Sequence, residues 1–407
     1  MRQHNEHTLP NGLKIIHEPS PTEVVYCGFV VRAGTRNEDE ADSGMAHFCE
    51  HVTFKGTERR RSWHVLNGLE RVGGDLNAYT NKEETVYYAA VLREDFAKAV
   101  DLLADIVFHS IYPQREIDKE VEVIIDEIES YKDSPSELIF DEFEEMLFRG
   151  HPLGRSILGD PVRLRQLTTA DALRFCSKHY QPQNTAFFVY GQVDFPRIVR
   201  TVSKATKDLC QGLPLEPIVG LPAYVPEERV VERGTHQAHV LIGNRTFCAS
   251  DDRRVALFLL NNILGGPGMN SRLNVSLRER SGLVYSVESN AMHYTDTGVW
   301  NVYFGCDPDD VERCRKLLLR ELRLFREKPL RATQLAAAKK QLKGQIGISC
   351  DHFESYALSM GKVFAHYGYY RDIHRLSEQV DAVTSEMIQQ IAEVLFAEDQ
   401  LTTLIYK

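Results

Sequence analysis

The amino-acid sequence predicts an α+β fold made of two duplicated domains. Short apolar runs with the period of strands stand beside longer amphipathic stretches with the period of helices. A proline-rich segment interrupts the middle of the chain, and the order of elements after it repeats the order before it. The length of 407 residues also exceeds what one ordinary core fills, which favours two domains.

Individual elements of the first half follow from these periods. Alternating apolar residues predict strands over 24–31 and 85–91. Amphipathic patterns predict helices over 94–109, 116–132, 168–180 and 195–209. The first half therefore mixes strands and helices, as an α+β domain requires.

The clearest candidate for a domain boundary is the stretch 213–226. It carries four prolines in fourteen residues, and proline blocks both regular helix and regular sheet. We therefore predict an N-terminal domain over 1–212, a linker over 213–226 and a C-terminal domain over 227–407.

Matching segments in the two halves support the duplication. Residues 78–80 precede a strand pattern and then a helix, and residues 293–295 precede the same two patterns, with the second helix over 308–326. Both halves also end on a strand-like segment that follows a helix, 184–190 in the first half and 399–406 in the second. We infer one α+β unit that occurs twice.

The motif that carries chemistry is H-x-x-E-H, spelled by His47, Glu50 and His51. On a helix, two histidines four positions apart project from one face, so both imidazoles can bind one metal ion. Glu50 shares that face, where a carboxylate can take a proton from water and hand it to a leaving amine. We predict a helix here with Asp42 or Ser43 as its N-cap. The second half lacks the motif, so we expect the metal only in the first domain.

A catalytic zinc ion usually takes three protein ligands, so a third must come from elsewhere. The predicted helix over 116–132 is crowded with acidic residues, most of which suit a solvent-facing surface. Glu120 and Glu127 lie seven positions apart on one helical stripe, whereas Asp126 and Glu129 point elsewhere. The spacing alone does not choose the ligand among these acids.

At this point the chain resembles the pitrilysin-like metallopeptidases, the family of insulinase and mitochondrial processing peptidase. The resemblance rests on H-x-x-E-H and on the 75 residues, 52–126, that separate it from Glu127. Segments 54–57, 76–80 and 151–159 resemble further family blocks, so the likeness covers nearly the whole chain. It implies two similar domains, each a mostly antiparallel sheet packed with helices.

The resemblance also assigns roles to residues. It implies Glu127 as the third zinc ligand, beside His47 and His51, with one Zn²⁺ per chain. It places Glu120 in the position of a supporting acid that orients the ligands. Asn77 and Ala78 fall in a segment that forms an exposed strand edge, where an extended peptide substrate pairs through its backbone.

The second half carries its own block, with Arg278 and Tyr285 seven residues apart after a glycine-rich turn. The glycines at 265–268 do not form a phosphate-binding loop, because no G-K-[ST] follows them. The resemblance implies that Arg278 holds a substrate carbonyl or chain terminus. It implies that Tyr285, together with Asn77, stabilises the oxyanion of the tetrahedral intermediate.

The expected function is that of a zinc-dependent endopeptidase acting on oligopeptides or unfolded polypeptide segments, with Glu50 as general base and then acid. Enzymes of this family enclose their substrate between two halves, and this chain resembles one half. The expected assembly is therefore a homodimer in which Arg278 and Tyr285 complete the active site of the partner chain. A heterodimer with an inactive partner remains an alternative.

Two other classes of function stay open from the sequence. One is a non-catalytic core or scaffold subunit of a processing-peptidase-like complex, which would purify without stoichiometric zinc. The other is a chaperone-like peptide binder that keeps zinc for structure, which would show no chelator-sensitive cleavage.

Composition excludes several further classes. A formal net charge of −10 and an isoelectric point near 5.9 argue against nucleic-acid binding. No apolar run approaches the length of a membrane helix, and the N-terminus lacks the apolar core of a signal peptide, so we expect a cytoplasmic protein.

The eight cysteines form no C-x-x-C pair, which favours reduced thiols, and Cys49 is expected to pack away from the histidines.

Overall fold

The structure is a computed structural model that describes residues 3–212, 217–370 and 372–407. Residues 213–216 of the predicted linker therefore lie outside the described residues. The described chain mixes helices with two separate sheets, which confirms the predicted α+β class. Within these ranges, no helix is long and apolar enough to span a lipid bilayer.

Eleven strands occur in the described residues. They are β1 Asn5–Thr8, β2 Lys14–Glu18, β3 Val24–Val31, β4 Asp75–Thr80, β5 Thr85–Leu92, β6 Thr185–Tyr190, β7 Glu228–Val231, β8 Ala238–Thr246, β9 Val284–His293, β10 Gly298–Cys306 and β11 Thr402–Tyr406.

The same residues form fourteen α-helices. They are α1 Met45–Thr53, α2 Ser62–Glu70, α3 Phe96–Phe108, α4 Gln114–Lys132, α5 Pro135–Leu147, α6 Pro161–Leu164, α7 Thr169–His179, α8 Phe195–Ala205, α9 Arg253–Gly265, α10 Val311–Glu327, α11 Ala332–Ser349, α12 Phe353–Tyr367, α13 Ile373–Ala382 and α14 Ser385–Leu395. The predicted strands and helices are present, with ends that differ by a few residues. A short π-helix covers Asn274–Glu279.

The two sheets share one topology, which confirms the predicted duplication. The first has the order β1-β2-β6-β3-β5-β4 and the second the order β7-β11-β8-β10-β9. If β1 is left out, each sheet has five strands, β2–β6 in the first copy and β7–β11 in the second. Numbered along the chain within each copy, these strands have the same spatial order, 1-5-2-4-3. Neighbours are antiparallel except for the pairs β2–β6 and β7–β11, which are parallel in both copies.

The chain divides into two compact units that are not its two sequential halves. One contains the described parts of 1–129, 155–220 and 349–372, and the other contains 130–154, 221–348 and 373–407. Helix α5 from the first half therefore packs on β8 and β11, and helix α12 from the second half packs on β3 and β6. The predicted domains 1–212 and 227–407 miss this exchange, because an apolar helix face does not specify which sheet will cover it.

Helix α12 explains why β6 has no alternating pattern. All six residues of β6 are buried, because α12 covers one face of the first sheet while the main core of this unit covers the other. Gly361 allows the close approach, since a Cβ there would lie 2.5 Å from the ring of Phe188.

Candidate metal centre

The helix that carries the motif, α1, begins differently from the prediction. Its N-cap is Gly44, with a φ of 85°, and neither Asp42 nor Ser43 takes that position. The buried carboxylate of Glu38 accepts hydrogen bonds from the N–H groups of Gly44 and Ala46, at 2.9 and 2.8 Å. Glu38, which precedes the helix by several residues, thus caps its first N–H groups. The prediction considered only Ser, Thr, Asp or Asn next to the helix and therefore missed Glu38. Burial raises the pKa of Glu38 to about 8.

A glycine pair fixes the start of α1 against the chain that follows α5. Gly44 and Gly159 both have positive φ, and a Cβ on Gly159 would lie 2.6 Å from the Cα of Gly44. Neither position accepts a larger residue without a shift of backbone. Gly159 belongs to the block 151–159 that carries part of the family resemblance, and this contact gives that block a structural role.

The structure brings three side chains of the predicted zinc set together. One ligand atom each of His47, His51 and Glu127 lies within 4.8 Å of the other two. Oε2 of Glu127 is 3.6 Å from Nε2 of His51 and 3.9 Å from Nε2 of His47. Two ligands at about 2 Å from a tetrahedral ion lie roughly 3.3 Å apart, so these separations are close to those of a metal-bound set.

Glu120 contacts His51 from α4, and its role as a supporting acid stays a prediction that this contact supports. Its Oε1 is 3.2 Å from Nδ1 of His51, and its Oε2 is 2.7 Å from Nζ of Lys55. A carboxylate at Nδ1 holds the proton there and leaves Nε2 with a lone pair directed toward Glu127. Glu120 is buried and Glu127 is half exposed, although both belong to α4.

The environments of the two histidines differ. Burial, and then the charge of His51, lower the pKa of His47 to about 3, so His47 is neutral at physiological pH and suited to bind a metal. Its Nδ1 is buried and finds no hydrogen-bond partner in the part of the chain that the structure describes. Burial lowers the pKa of His51, but the hydrogen bond to Glu120 and the nearby carboxylates outweigh it, and the net pKa is raised.

Glu50 is held by one hydrogen bond from strand β4. The hydroxyl of Thr80 donates to Oε2 of Glu50 at 2.8 Å, which leaves Oε1 for proton transfer. Burial raises the pKa of Glu50, while the bond from Thr80 and the charge of His51 oppose that rise. A carboxyl group with a raised pKa is suited to take up and release a proton near neutral pH.

Strand β4 forms the edge of the first sheet, so one side of its backbone is unpaired within that sheet. Asn77 is exposed on this strand, and its neighbour Ala78 is half-buried. Their contact with substrate stays a prediction, which the open edge supports.

Arg278 and Tyr285 lie in the other unit. The guanidinium of Arg278, on the π-helix, is 5.9 Å from the centre of the Tyr285 ring, so these two residues are neighbours. Tyr285 stands near the start of β9, the edge strand of the second sheet, and is 82% exposed. Its predicted role in a site completed by a second chain stays a prediction.

Sequence reasoning missed three residues that support the centre. Thr80, Lys55 and Glu38 bind Glu50, Glu120 and the start of α1, respectively. Thr80 falls in the block 76–80 that resembles the family, and this was its only signal. Cys49 is fully buried, as expected of a packing residue.

Comparison with known proteins identifies the family. The sequence pattern of the insulinase family, peptidase family M16, matches residues 14–161, and that of the peptidase M16 inactive domain matches residues 166–342. A protein of Streptomyces coelicolor named as an uncharacterized zinc protease is 34% identical over 95% of this chain and 85% of its own length. The chain belongs to peptidase family M16. YmxG of Bacillus subtilis, also named as an uncharacterized zinc protease, is 30% identical over 98% of this chain and 97% of its own length.

Solved structures share the M16 fold. A protease from Helicobacter pylori has a TM-score of 0.90 at 24% identity, over 100% of this chain and 99% of that one. A protein from Pseudomonas fluorescens described as a peptidase M16 inactive domain has a TM-score of 0.92 at 19% identity, over 99% of this chain and 97% of that one. These likenesses establish the fold. The chemistry has to be argued from the residues of the site.

Proposed function

We propose that this M16 chain is a zinc-dependent endopeptidase that hydrolyses oligopeptides or unfolded polypeptide segments. The observation that carries the proposal is the convergence of His47, His51 and Glu127 next to a fourth side chain, Glu50, on the same helix as the histidines. Relatives named as zinc proteases support the same chemistry.

The donor set fits a catalytic zinc ion. Two imidazoles and one carboxylate are the ligands of an open zinc site, which keeps a position for water or substrate. His47 is neutral, and Glu120 orients His51, whose raised pKa means that zinc binding at its Nε2 would displace a proton. When bound, zinc supplies Lewis acidity that polarises a carbonyl group and makes water more acidic. One ion per chain is expected, since each chain contributes one such set.

In this mechanism Glu50 moves the proton. Its carboxylate takes a proton from the attacking water and delivers it to the nitrogen of the leaving amine, so that the carboxylate is regenerated. The bond from Thr80 holds one oxygen of Glu50 still while the other carries the proton.

Substrate binding is assigned to the free edge of β4. An extended peptide can add to this edge through backbone hydrogen bonds, which recognise unfolded chain with little dependence on sequence. Asn77 and Ala78 would then contact the peptide directly. A folded protein has few extended segments free to pair in this way, so unfolded or short substrates are favoured.

The decisive measurement is cleavage of a quenched peptide, combined with elemental analysis. We expect about one zinc per chain, loss of cleavage after treatment with a chelator and recovery when zinc is added back. Zinc-free protein as isolated would favour a scaffold role. Stoichiometric zinc without chelator-sensitive cleavage would favour a peptide binder.

We further propose a homodimer in which Arg278 and Tyr285 of one chain act at the zinc site of the other. The Glu50→Gln and Tyr285→Phe variants, each inactive alone, should regain part of the activity when mixed. A mixture as inactive as either variant would count against completion of the site in trans.

A further inference from the structure

The turn between β4 and β5, Asn81–Glu84, carries three consecutive charged residues that are all buried. Lys82 is 5% exposed, Glu83 is 9% and Glu84 is 8%. A turn of this composition ordinarily faces solvent, because taking a charge out of water costs several kcal/mol unless it is paired. Its burial therefore calls for partners, and each charge has one.

The three charges bind three different segments of the first unit. Nζ of Lys82 donates to the carbonyl oxygen of Arg155 at 2.5 Å, and Arg36 donates from Nη1 to Glu83 at 2.7 Å. Glu84 binds Lys362 and His366, which lie one turn apart on α12. Nε2 of His366 is 3.1 Å from Oε2, and Nζ of Lys362 is 3.3 Å from Oε1.

The bond to α12 stabilises the charged form of Glu84. Burial alone would raise the pKa of Glu84, but His366, Lys362 and the amide of Asn81 outweigh it and lower the pKa to about 2. The turn is thus anchored to a helix that comes from the second half of the chain.

The turn is joined by a peptide bond to Thr80, which donates a hydrogen bond to the proposed general base, Glu50. Thr80 directly precedes the turn, pairs with Thr85 across it and donates to Glu50. A second route leads from Lys82 to Arg155, whose guanidinium donates to the carbonyl oxygen of Glu38, the residue that caps α1. A movement of the turn would therefore shift both the support of Glu50 and the start of the helix that bears it.

We propose that the turn Asn81–Glu84 positions Glu50, and that Lys362 and His366 of α12 are positioning residues because they hold the turn in place. This inference rests on the proposed peptidase function. Misplacement of a reacting group by about 1 Å can cost on the order of a hundredfold in rate, so a loosened turn should lower turnover. Neither Lys362 nor His366 contacts His47, His51 or Glu127 in the bonds described above, so zinc content should change far less than kcat.

The test is the double variant Lys362→Met/His366→Ala, compared with Tyr356→Phe. Tyr356 is on the same helix and donates a hydrogen bond to Glu18 at the end of β2. Three strands separate β2 from β4 in the sheet, so Tyr356 is a matched control whose bond lies away from the turn. We expect kcat of the double variant to fall about tenfold or more, with KM within about twofold and full zinc content. Tyr356→Phe should lower the melting temperature and leave kcat within about twofold.

A second measurement does not depend on activity. In zinc-free protein, hydrogen exchange of the amides of 80–85 should be faster in the double variant than in wild type, and unchanged there in Tyr356→Phe. A double variant that loses melting temperature like the control but keeps both kcat and slow exchange would overturn the proposal.

Should the double variant fail to fold, Glu84→Gln provides the milder test, because it keeps the shape of the side chain and removes its charge. A folded Glu84→Gln protein with wild-type kcat and wild-type exchange at 80–85 would equally overturn the proposal. Wild-type protein without chelator-sensitive cleavage would instead refute the peptidase function, and the exchange measurement would still decide whether α12 holds the turn.

Discussion

Helices α1 and α9 occupy the same place in the two copies of the fold, yet their polar groups are arranged in opposite ways. Each follows the second strand of its repeat and packs on an edge strand, β4 for α1 and β9 for α9. In α9, Asn261 donates to the carbonyl oxygen of Ser289 at 2.7 Å and accepts from its hydroxyl, which also accepts from Trp300.

In α1 the polar groups are only partly paired, Glu50 with Thr80 and His51 with Glu120. Nδ1 of His47 is buried and has no hydrogen-bond partner among the described residues, Glu50 has a raised pKa, and Glu127 of α4, which approaches both histidines, is half exposed. The amide of Asn261 is paired with the strand beside it, whereas Nε2 of each histidine of α1 faces the half-exposed carboxylate of Glu127 and is available to an external ligand. The comparison shows that one fold serves either stability or chemistry, according to which polar groups remain unpaired.

Replacement of Glu50 should have the largest effect, since it removes the proton carrier. We expect Glu50→Gln to retain zinc and to lower kcat by about a thousandfold or more, in line with the loss of a general base. Peptide turnover and elemental analysis of the same sample measure the two quantities. Wild-type turnover in this variant would remove Glu50 from the mechanism.

Replacement of Glu120 should act on zinc affinity. Glu120→Gln takes away the charge at Nδ1 of His51, and such supporting groups typically contribute about 10- to 100-fold in metal affinity. Competition with a chromophoric chelator measures the change. Glu122→Gln, an exposed position on the same helix, should keep wild-type affinity, and equal losses in both variants would contradict the role of Glu120.

Replacement of Ser289 should lower the free energy of unfolding and leave zinc binding and turnover unchanged. In Ser289→Ala, the oxygen of Asn261 and the indole N–H of Trp300 lose their partner, at a cost of about 1–3 kcal/mol in the free energy of unfolding. Denaturant unfolding measures it, with exposed Ser286→Ala on the same strand as control. Zinc content and kcat should stay at wild-type values, and a loss of zinc would break the contrast between the two helices.

Replacement of Thr80 removes the bond through which the turn positions Glu50, so a shift in pH dependence should accompany a fall in kcat like that of the Lys362→Met/His366→Ala variant. The bond from Thr80 favours ionised Glu50 and lowers its pKa, so Thr80→Ala should raise that pKa. Because the base acts when deprotonated, the acidic limb of the profile of kcat/KM against pH should move to higher pH. Thr80→Ser keeps the hydroxyl and should restore the wild-type profile; an unshifted limb in Thr80→Ala would show that this bond does not tune Glu50.

Much of the fold could be predicted from periodicity alone. Strand β3 spans 24–31 as expected, and helix α7 agrees with the predicted 168–180 within one residue at each end. The exchange of α5 and α12 between the units could not be predicted, since an apolar helix face in the sequence does not specify which sheet will cover it. The sheet on which each helix packs is a property of the whole fold.

For the candidate site, local spacing was sufficient for His47, Glu50 and His51, because one helical turn defines their common face. Glu127 needed the family resemblance, since several acids of α4 satisfy the same local pattern. Lys55, Thr80 and Glu38 each act on a partner that the local pattern does not reveal, and the buried turn Asn81–Glu84 looks like a solvated loop in the sequence.

The sequence by itself thus determined the repeated α+β architecture and the side chains that share a face of α1, because both depend on periods of two to four residues. Only the tertiary structure decided which acid meets the histidines, which strand holds Glu50 and which helix anchors the turn behind it. Those choices depend on pairing between segments tens to hundreds of residues apart. The free energy of each pair comes from burial and charge compensation, which exist only once the segments have been brought together.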